Sequence, residues 1–302
     1  MKTAIVTGAA SGIGMGYATV LAERGFYVLV TDVDQIGAER VAADLNSRGA
    51  GQAEARKLDV TDASAVAQVV NDVKRAHGRL DMIFNNAGIG IGGPTDELEV
   101  AHWQKAGDVM IMGVAYGVDA AYRIMVEQGF GHIVNTASMA GMVPLAYMAP
   151  YNMAKHAVVG MSLSLRGEAA AHGVKVTCVC PIAVNTNIVR NLNSGLGETD
   201  ETRIASKGYD LLKPIADHVP EFIVASPVGH ARAVLKGCDR NRALVIKPWF
   251  GRQAWWMQRA FPLLTVRVSS IYTRLAMIFR KPAVSLGKAV LRVPDQEKEI
   301  AQ

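Results

Sequence analysis

The chain of 302 residues holds only three cysteines, Cys178, Cys180 and Cys238. Cys178 and Cys180 alternate in "KVTCVCP", a strand pattern that puts both thiols on one face. With no second pair and no nearby histidine, a metal site or a disulfide framework lacks its partners. Burial in a reducing compartment is the expected use, and no metal is expected. No run approaches the roughly 18 apolar residues of a membrane-spanning helix. "MKTAIV" begins like a signal peptide, but Gly8 interrupts it short of the ~7–15 apolar residues such a core needs. A soluble, cytoplasmic chain is therefore expected, attached at most to a membrane surface. Acidic residues are missing from one long stretch: Arg240 to Pro294 holds eleven Lys/Arg and no Asp/Glu. The net charge of +5 thus combines a net acidic body with a basic tail. Fixed-period repeats and low-complexity segments are also lacking.

What is present is an alternation of short apolar runs and longer helical patterns. The candidate strands are "KTAIVT", "YVLVT", "EARKLDV", "LDMIFN", "GHIVNTA", "VKVTCV" and "ALVIK". The gaps between the first six are long enough for helices, as over 12–24 and 62–77. Such alternation predicts an α/β fold, a doubly wound parallel sheet covered by helices on both faces in three layers. The expected division is a Rossmann-type domain over 1–250 and a basic, amphipathic helical tail over 251–302. Residues 185–225 include "NTNIVRNLNSGLGETDETR", polar and too long for an ordinary connection, and read as a substrate lid.

"IVTGAASGIGMG" sets Gly8, Gly12 and Gly14 between a strand and a helical pattern. Glycines there let the backbone turn tightly and approach a pyrophosphate, which a helix N-terminus can hold. The second strand ends in Asp32, an acid placed to accept hydrogen bonds from ribose hydroxyls and to repel a 2′-phosphate. Asp34 adds to that repulsion, and Ser11 stands before Gly12 where a phosphate-binding site would use a basic residue. NAD(H) is expected rather than NADP(H).

"TGAASGIG" (7–14), "DV" (59–60), "NNAG" (85–88), Ser138, "YNMAK" (151–155) and "PIAVNT" (181–186) resemble the short-chain dehydrogenase/reductase family, in order and spacing over roughly residues 1–250. The resemblance implies an NAD-dependent alcohol dehydrogenase or ketone reductase, with Gly8, Ser11, Gly12, Ile13, Gly14 and Asp32 on the cofactor. It further implies that Asp59 and Val60 frame the adenine and that Asn86, Ala87 and Gly88 line the cleft. Pro181, Val184 and Thr186 would hold the carboxamide end. Lys155 would bind the nicotinamide ribose, beside Tyr151.

Four-residue spacing puts Tyr151 and Lys155 on one helix face, about 5–6 Å apart. Ionising a phenol of pKa ~10 at pH 7 costs about 4 kcal/mol. A neighbouring ammonium shifts such a pKa by roughly 1–3 units. Tyr151 is thus the expected acid–base group, and Ser138, thirteen residues earlier, can hydrogen-bond the substrate oxygen. Oxidation is the expected direction, the hydride chemistry belonging to the cofactor.

Two positions depart from the family pattern. No asparagine occurs between Asn86 and Asn135. The family's relay asparagine is matched by Met110, whose thioether cannot hydrogen-bond as an amide does. Ile182 stands where the family usually has glycine, narrowing the nicotinamide end or displacing the strand. Both leave open a rival from another class, an NAD-binding sensor or interaction module with little turnover.

Met139, Met142, Met148 and Met153 suggest either an adaptable pocket for a hydrophobic substrate or plain core. No other Arg or Lys lies within 140–160, which disfavours a carboxylate or phosphate substrate. The helical stretch 109–125 is apolar almost all round and needs a second cover, which points to self-association; the resemblance implies a homodimer or homotetramer. In the tail, Leu264, Val268, Ile271, Leu275 and Ile278 form an apolar stripe, with Arg267, Arg274 and Lys281 every seven residues beside it and Trp249, Trp255 and Trp256 upstream. The stripe could pack on the enzyme, bridge subunits, or lie on a membrane surface. No motif supports nucleic acid.

Overall fold

In a computed structural model of the protein, residues 1–49, 51–186 and 224–275 are described, together with 188, 191–193, 195, 196, 202 and 207. All seven expected strands form: β1 (Thr3–Thr7), β2 (Tyr27–Asp32), β3 (Gln52–Lys57), β4 (Met82–Asn85), β5 (Gly131–Thr136), β6 (Val174–Pro181) and β7 (Leu244–Lys247). They build one parallel sheet in the order β3-β2-β1-β4-β5-β6-β7. The apolar residues that open the chain are therefore a central strand, buried at all five positions. β3 ends at Lys57, so Leu58 to Val60 lie past the strand rather than in it.

Helices cover both faces. α1 (Gly12–Glu23), α2 (Gln35–Ser47) and α7 (Pro227–Asp239) share one apolar cluster against the sheet. α3 (Ala63–His77), α5 (Gly113–Gln128) and the C-terminal half of α6 (Ala149–Ala169) share the other. α3 shows why the sequence folds this way. Asp62 caps its N-terminus by accepting from Ser64 and Ala65 N–H, and Gly78 ends it in the left-handed region. Val66, Val69, Val70 and Val73 form the buried stripe between these signals.

α4 (Val100–Gly107), a π turn (Asp108–Met112) and α5 run on as one helix. By length and composition Val100–Gln128 is apolar enough to cross a membrane, which a search for unbroken apolar runs passes over. Its inner face, Val114, Gly117, Ala121, Ile124 and Met125, is buried in the second layer, the position of a core helix. All three cysteines are buried and free.

The order of strands places a crevice. After β1 the chain moves outward to β2 and β3 and then returns across β1 to β4. The C-terminal ends of β1 and β4 therefore diverge into loops that leave in opposite directions, the position at which open α/β sheets take ligands.

The tail is helical over α8 (Phe250–Ala260) and over α9, residues 262–275. Its first turn docks: Gly251 is buried, and a side chain there would overlap Ile182 Cδ1. Trp255 packs with Ile182 and Ile246 in a third cluster. Ile182, the branched side chain where glycine was expected, is thus part of the seat of the tail. The apolar stripe of α9 does not follow it onto the body. Leu264, Val268, Ile271 and Leu275 are 49–58% exposed. Ile278, Lys281 and most of the 185–225 stretch lie outside the described residues.

Candidate active site

Gly8 turns the chain after β1 at φ +65°, and a Cβ there would stand 2.7 Å from Ala87 Cα. A side chain at Gly14 would overlap the Gly8 carbonyl oxygen. The turn is thus closed on itself by backbone contacts that only glycine permits. Ser11 is the N-cap of α1 but makes no side-chain cap bond, so the helix's first N–H groups are not capped by its own side chain. Ile13 packs on the first cluster. Thr186 lies over the turn, 3.3 Å from a Cβ placed on Gly12. The loop after β6 therefore reaches back across the crevice from Pro181 to the glycines, with Val184 pairing to Ala225.

Asp32 ends β2 with its carboxylate held by two backbone donors, Ala10 N–H at 3.0 Å and Asp34 N–H at 3.0 Å. Asp34 is spent elsewhere: its carboxylate caps α2 through Gly37 N–H. Asp34 thus also serves the start of α2, while Asp32 is the acid at the strand end. Asp59 forms its own turn with Thr61, and Val60 is buried.

Asn86 donates its side-chain amide to Thr7 O at 3.0 Å. The Thr7 hydroxyl accepts from the N–H of Asn86 and of Ala87. Asn86 and Ala87 therefore brace the glycine turn, and Thr7, to which sequence reasoning gave no role, is the hinge between β1 and β4. Its signal was available in "TGAASGIG", where the hydroxyl precedes the turn.

Ser138, Tyr151 and Lys155 meet beyond the end of β5. Ser138 is the N-cap of a short 3-10 turn, accepting from Ala140 N–H at 3.2 Å. Tyr151 and Lys155 lie on the buried face of α6, with Lys155 Nζ 5.6 Å from the tyrosine ring centre. Lys155 is 3% exposed and donates to Thr136 O at 3.0 Å. Burial lowers its pKa to about 8, still high enough to keep it charged at neutral pH. Tyr151 differs from expectation. Burial raises its pKa above the ordinary phenol value, and a hydrogen bond with Ser138 pulls the other way. Lys155 does not draw it toward phenolate in the protein alone, because desolvation outweighs an ammonium directed at Thr136 O.

Met110 is fully buried and sits behind this pair. A Cβ on Gly88 would stand 3.6 Å from Lys155 Nζ and 3.9 Å from Met110 Cγ, so the three converge. Met110 falls in the π turn, the kind of break in helical hydrogen bonding that often marks a functional site. Of the four methionines, Met139 and Met142 are core beneath the site. Met153 is 41% exposed. Met148 packs near Tyr151 together with Ile89, Ile91 and Ile111. The methionine pocket thus reduces to one methionine in an isoleucine-rich wall.

A model of the short chain dehydrogenase family matches residues 2–197. The chain belongs to that family. A relative in Mycobacterium tuberculosis, the putative oxidoreductase SadH, is 33% identical over 276 residues, covering 91% of this chain and 93% of that one. A short chain dehydrogenase/reductase from Burkholderia phymatum in complex with NAD superposes with a TM-score of 0.75 at 27% identity, covering 87% of this chain and 94% of that one. One from Sphingobium yanoikuyae in complex with NADPH gives 0.70 at 25%, covering 86% and 93%. As a short chain dehydrogenase the protein is an oxidoreductase with a nicotinamide cofactor, and its crevice fits one. The glycine turn admits no side chain at Gly8 or Gly14, the first turn of α1 lacks a side-chain cap, and a carboxylate ends the neighbouring strand.

Proposed function

We propose that the protein transfers hydride between NAD(H) and a hydrophobic secondary alcohol or ketone. The observation that carries this reading is the meeting of Ser138, Tyr151 and Lys155 beyond the end of β5, with Lys155 Nζ 5.6 Å from the tyrosine ring centre. A bound nicotinamide would supply the hydride acceptor or donor. Tyr151 exchanges the hydroxyl proton with the substrate oxygen, and Ser138 donates a hydrogen bond to that oxygen. Lys155 orients the ribose and returns Tyr151 to its starting protonation state. Gly8, Ser11, Gly12, Ile13 and Gly14 hold the pyrophosphate, Asp32 the adenosine ribose, and Asp59 and Val60 the adenine. Asn86, Ala87 and Gly88 form the cleft wall, and Pro181, Val184 and Thr186 the carboxamide side.

NAD(H) is favoured because the carboxylate of Asp32 is fixed by two N–H donors where a 2′-phosphate would have to sit. An apolar substrate is favoured by the wall of Ile89, Ile91, Ile111 and Met148 beside Tyr151. Self-association is favoured by Met112, Met153 and Leu163, exposed on the helices from 109 to 169. The catalytic domain ends near residue 250 and the protein works in the cytoplasm. Absorbance of the reduced nicotinamide tests the reading, with NAD+ and NADP+ offered separately alongside a panel of hydrophobic secondary alcohols. NADH formation by the wild type and its loss in Tyr151→Phe is the expected result. Preference for NADP+, or equal turnover by the tyrosine variant, would sink it.

A further inference from the structure

The tail presents a surface that the hydride chemistry does not use. α8 is fixed by its inner face, with Gly251 on Ile182 and Trp255 in the adjoining cluster, where Arg259 lies 5.4 Å from the Trp255 ring. This leaves Trp256 and Met257 facing outward, 61% and 47% exposed, next to Trp249 at 61%. The chain breaks at Phe261 and continues as α9. At 100° per residue, Leu264, Val268, Ile271 and Leu275 fall within one narrow stripe, Arg267 and Arg274 flank it on one side, and Tyr272 on the other. All seven of these residues are exposed.

Charge decides which occupant suits this surface. Residues 250–275, which hold both helices, contain four Lys/Arg and no Asp/Glu. Two copies of such a surface repel one another, whereas an anionic lipid headgroup layer neutralises it and accepts the apolar stripe below. Exposed Trp and Tyr have an apolar ring and a polar edge, which suits the boundary between headgroups and acyl chains. We propose that α8 and α9 form a docking surface for an anionic lipid bilayer. The helices lie in its plane, and the seating of Gly251 on Ile182 anchors the first turn of α8 to the body. Because Ile182 directly follows Pro181, a bound bilayer would lie close to the cofactor-side loop. The proposal rests on the tail alone and stands whatever the substrate proves to be.

Sedimentation of the full chain with vesicles of phosphatidylcholine, with and without phosphatidylglycerol, tests it. Binding is expected only when phosphatidylglycerol is present and should weaken with added salt. R267A/R274A should lower the partition coefficient roughly 30-fold, about fivefold per charge. V268D/I271D should abolish binding. All four side chains are exposed, so an unchanged unfolding temperature is expected in both variants and separates lost binding from lost folding. No sedimentation of the wild type, equal sedimentation with both vesicles, or variants that sediment like the wild type would each overturn the proposal. So would a fall in assembly mass for V268D/I271D, seen by light scattering in a wild type that ignores vesicles. That last result assigns the stripe to a second copy.

Discussion

Lys155→Met should make the protein more stable and inactive at once. Lys155 is 3% exposed and donates to the Thr136 carbonyl. Burial takes its pKa from 10.5 to about 8. At ~1.4 kcal/mol per tenfold change in proton affinity, this corresponds to about 3 kcal/mol against the charged form. Methionine keeps the apolar stem and removes the charge, at a loss of about 1 kcal/mol for the hydrogen bond. The net gain is about 2 kcal/mol at pH 7, or roughly 5 °C in Tm for a chain of this class. The sign with pH follows from the lowered value. Between about 8 and 10.5 the unfolded chain binds more protons at this site than the folded one, so this site makes wild-type stability rise across that window. The variant lacks that rise. Thermal and urea unfolding at pH 7 and at pH 10, without cofactor, read both effects. A lower Tm for the variant at pH 7, or equal pH slopes for the two proteins, would refute the assignment of Lys155 as a charge held in the site at a cost to stability.

Three further outcomes follow from the same geometry. Met110→Asn restores an amide beside Lys155 and should raise kcat; an unchanged kcat would show that the proton leaves by another route, such as a main-chain carbonyl of the π turn. Asp32→Ser removes the acceptor of the Ala10 and Asp34 N–H groups and should shift kcat/KM toward NADP+ by at least tenfold, about 1.4 kcal/mol; steady-state kinetics with both cofactors decide it. His132 and His230 are buried, and burial takes each pKa from 6.5 to about 4. Both folded values lie below the unfolded one, so stability present above pH 6.5 is lost as pH falls toward 4, by up to about 3 kcal/mol per site. Urea titrations from pH 7 to 4 should show that loss, and His230→Leu should flatten it.

The comparison of sequence with structure turns on the range of the physical signal. The strand–helix order was legible because each element carries its own local pattern: the valine stripe and Asp62 cap of α3, the alternation around Cys178, the glycines after β1. The Tyr151–Lys155 pairing was legible for the same reason, since a helix fixes side chains four residues apart. The role of Asp34 was less legible, because an acid two residues past a strand can face a ribose or cap the next helix, and local order does not choose. For Met139 and Met142 the choice between core and pocket stayed open, because core and pocket methionines read alike. Ile182 looked like an obstruction until Gly251, some seventy residues later, was seen to rest on it.

By itself, then, the sequence determined the parallel α/β sheet, the glycine turn after β1 and the pairing of Tyr151 with Lys155, all set by local spacing, while Ser138 was legible only through the family resemblance. Only the tertiary structure decided that Lys155 directs its proton to Thr136, that Thr7 joins the glycine turn to β4, that Met110 lies behind the lysine, and that the stripe of α9 is left bare. Those facts depend on neighbours brought together from distant segments. Burial, desolvation and hydrogen-bond partners are sums over such neighbours, and a linear pattern does not contain them.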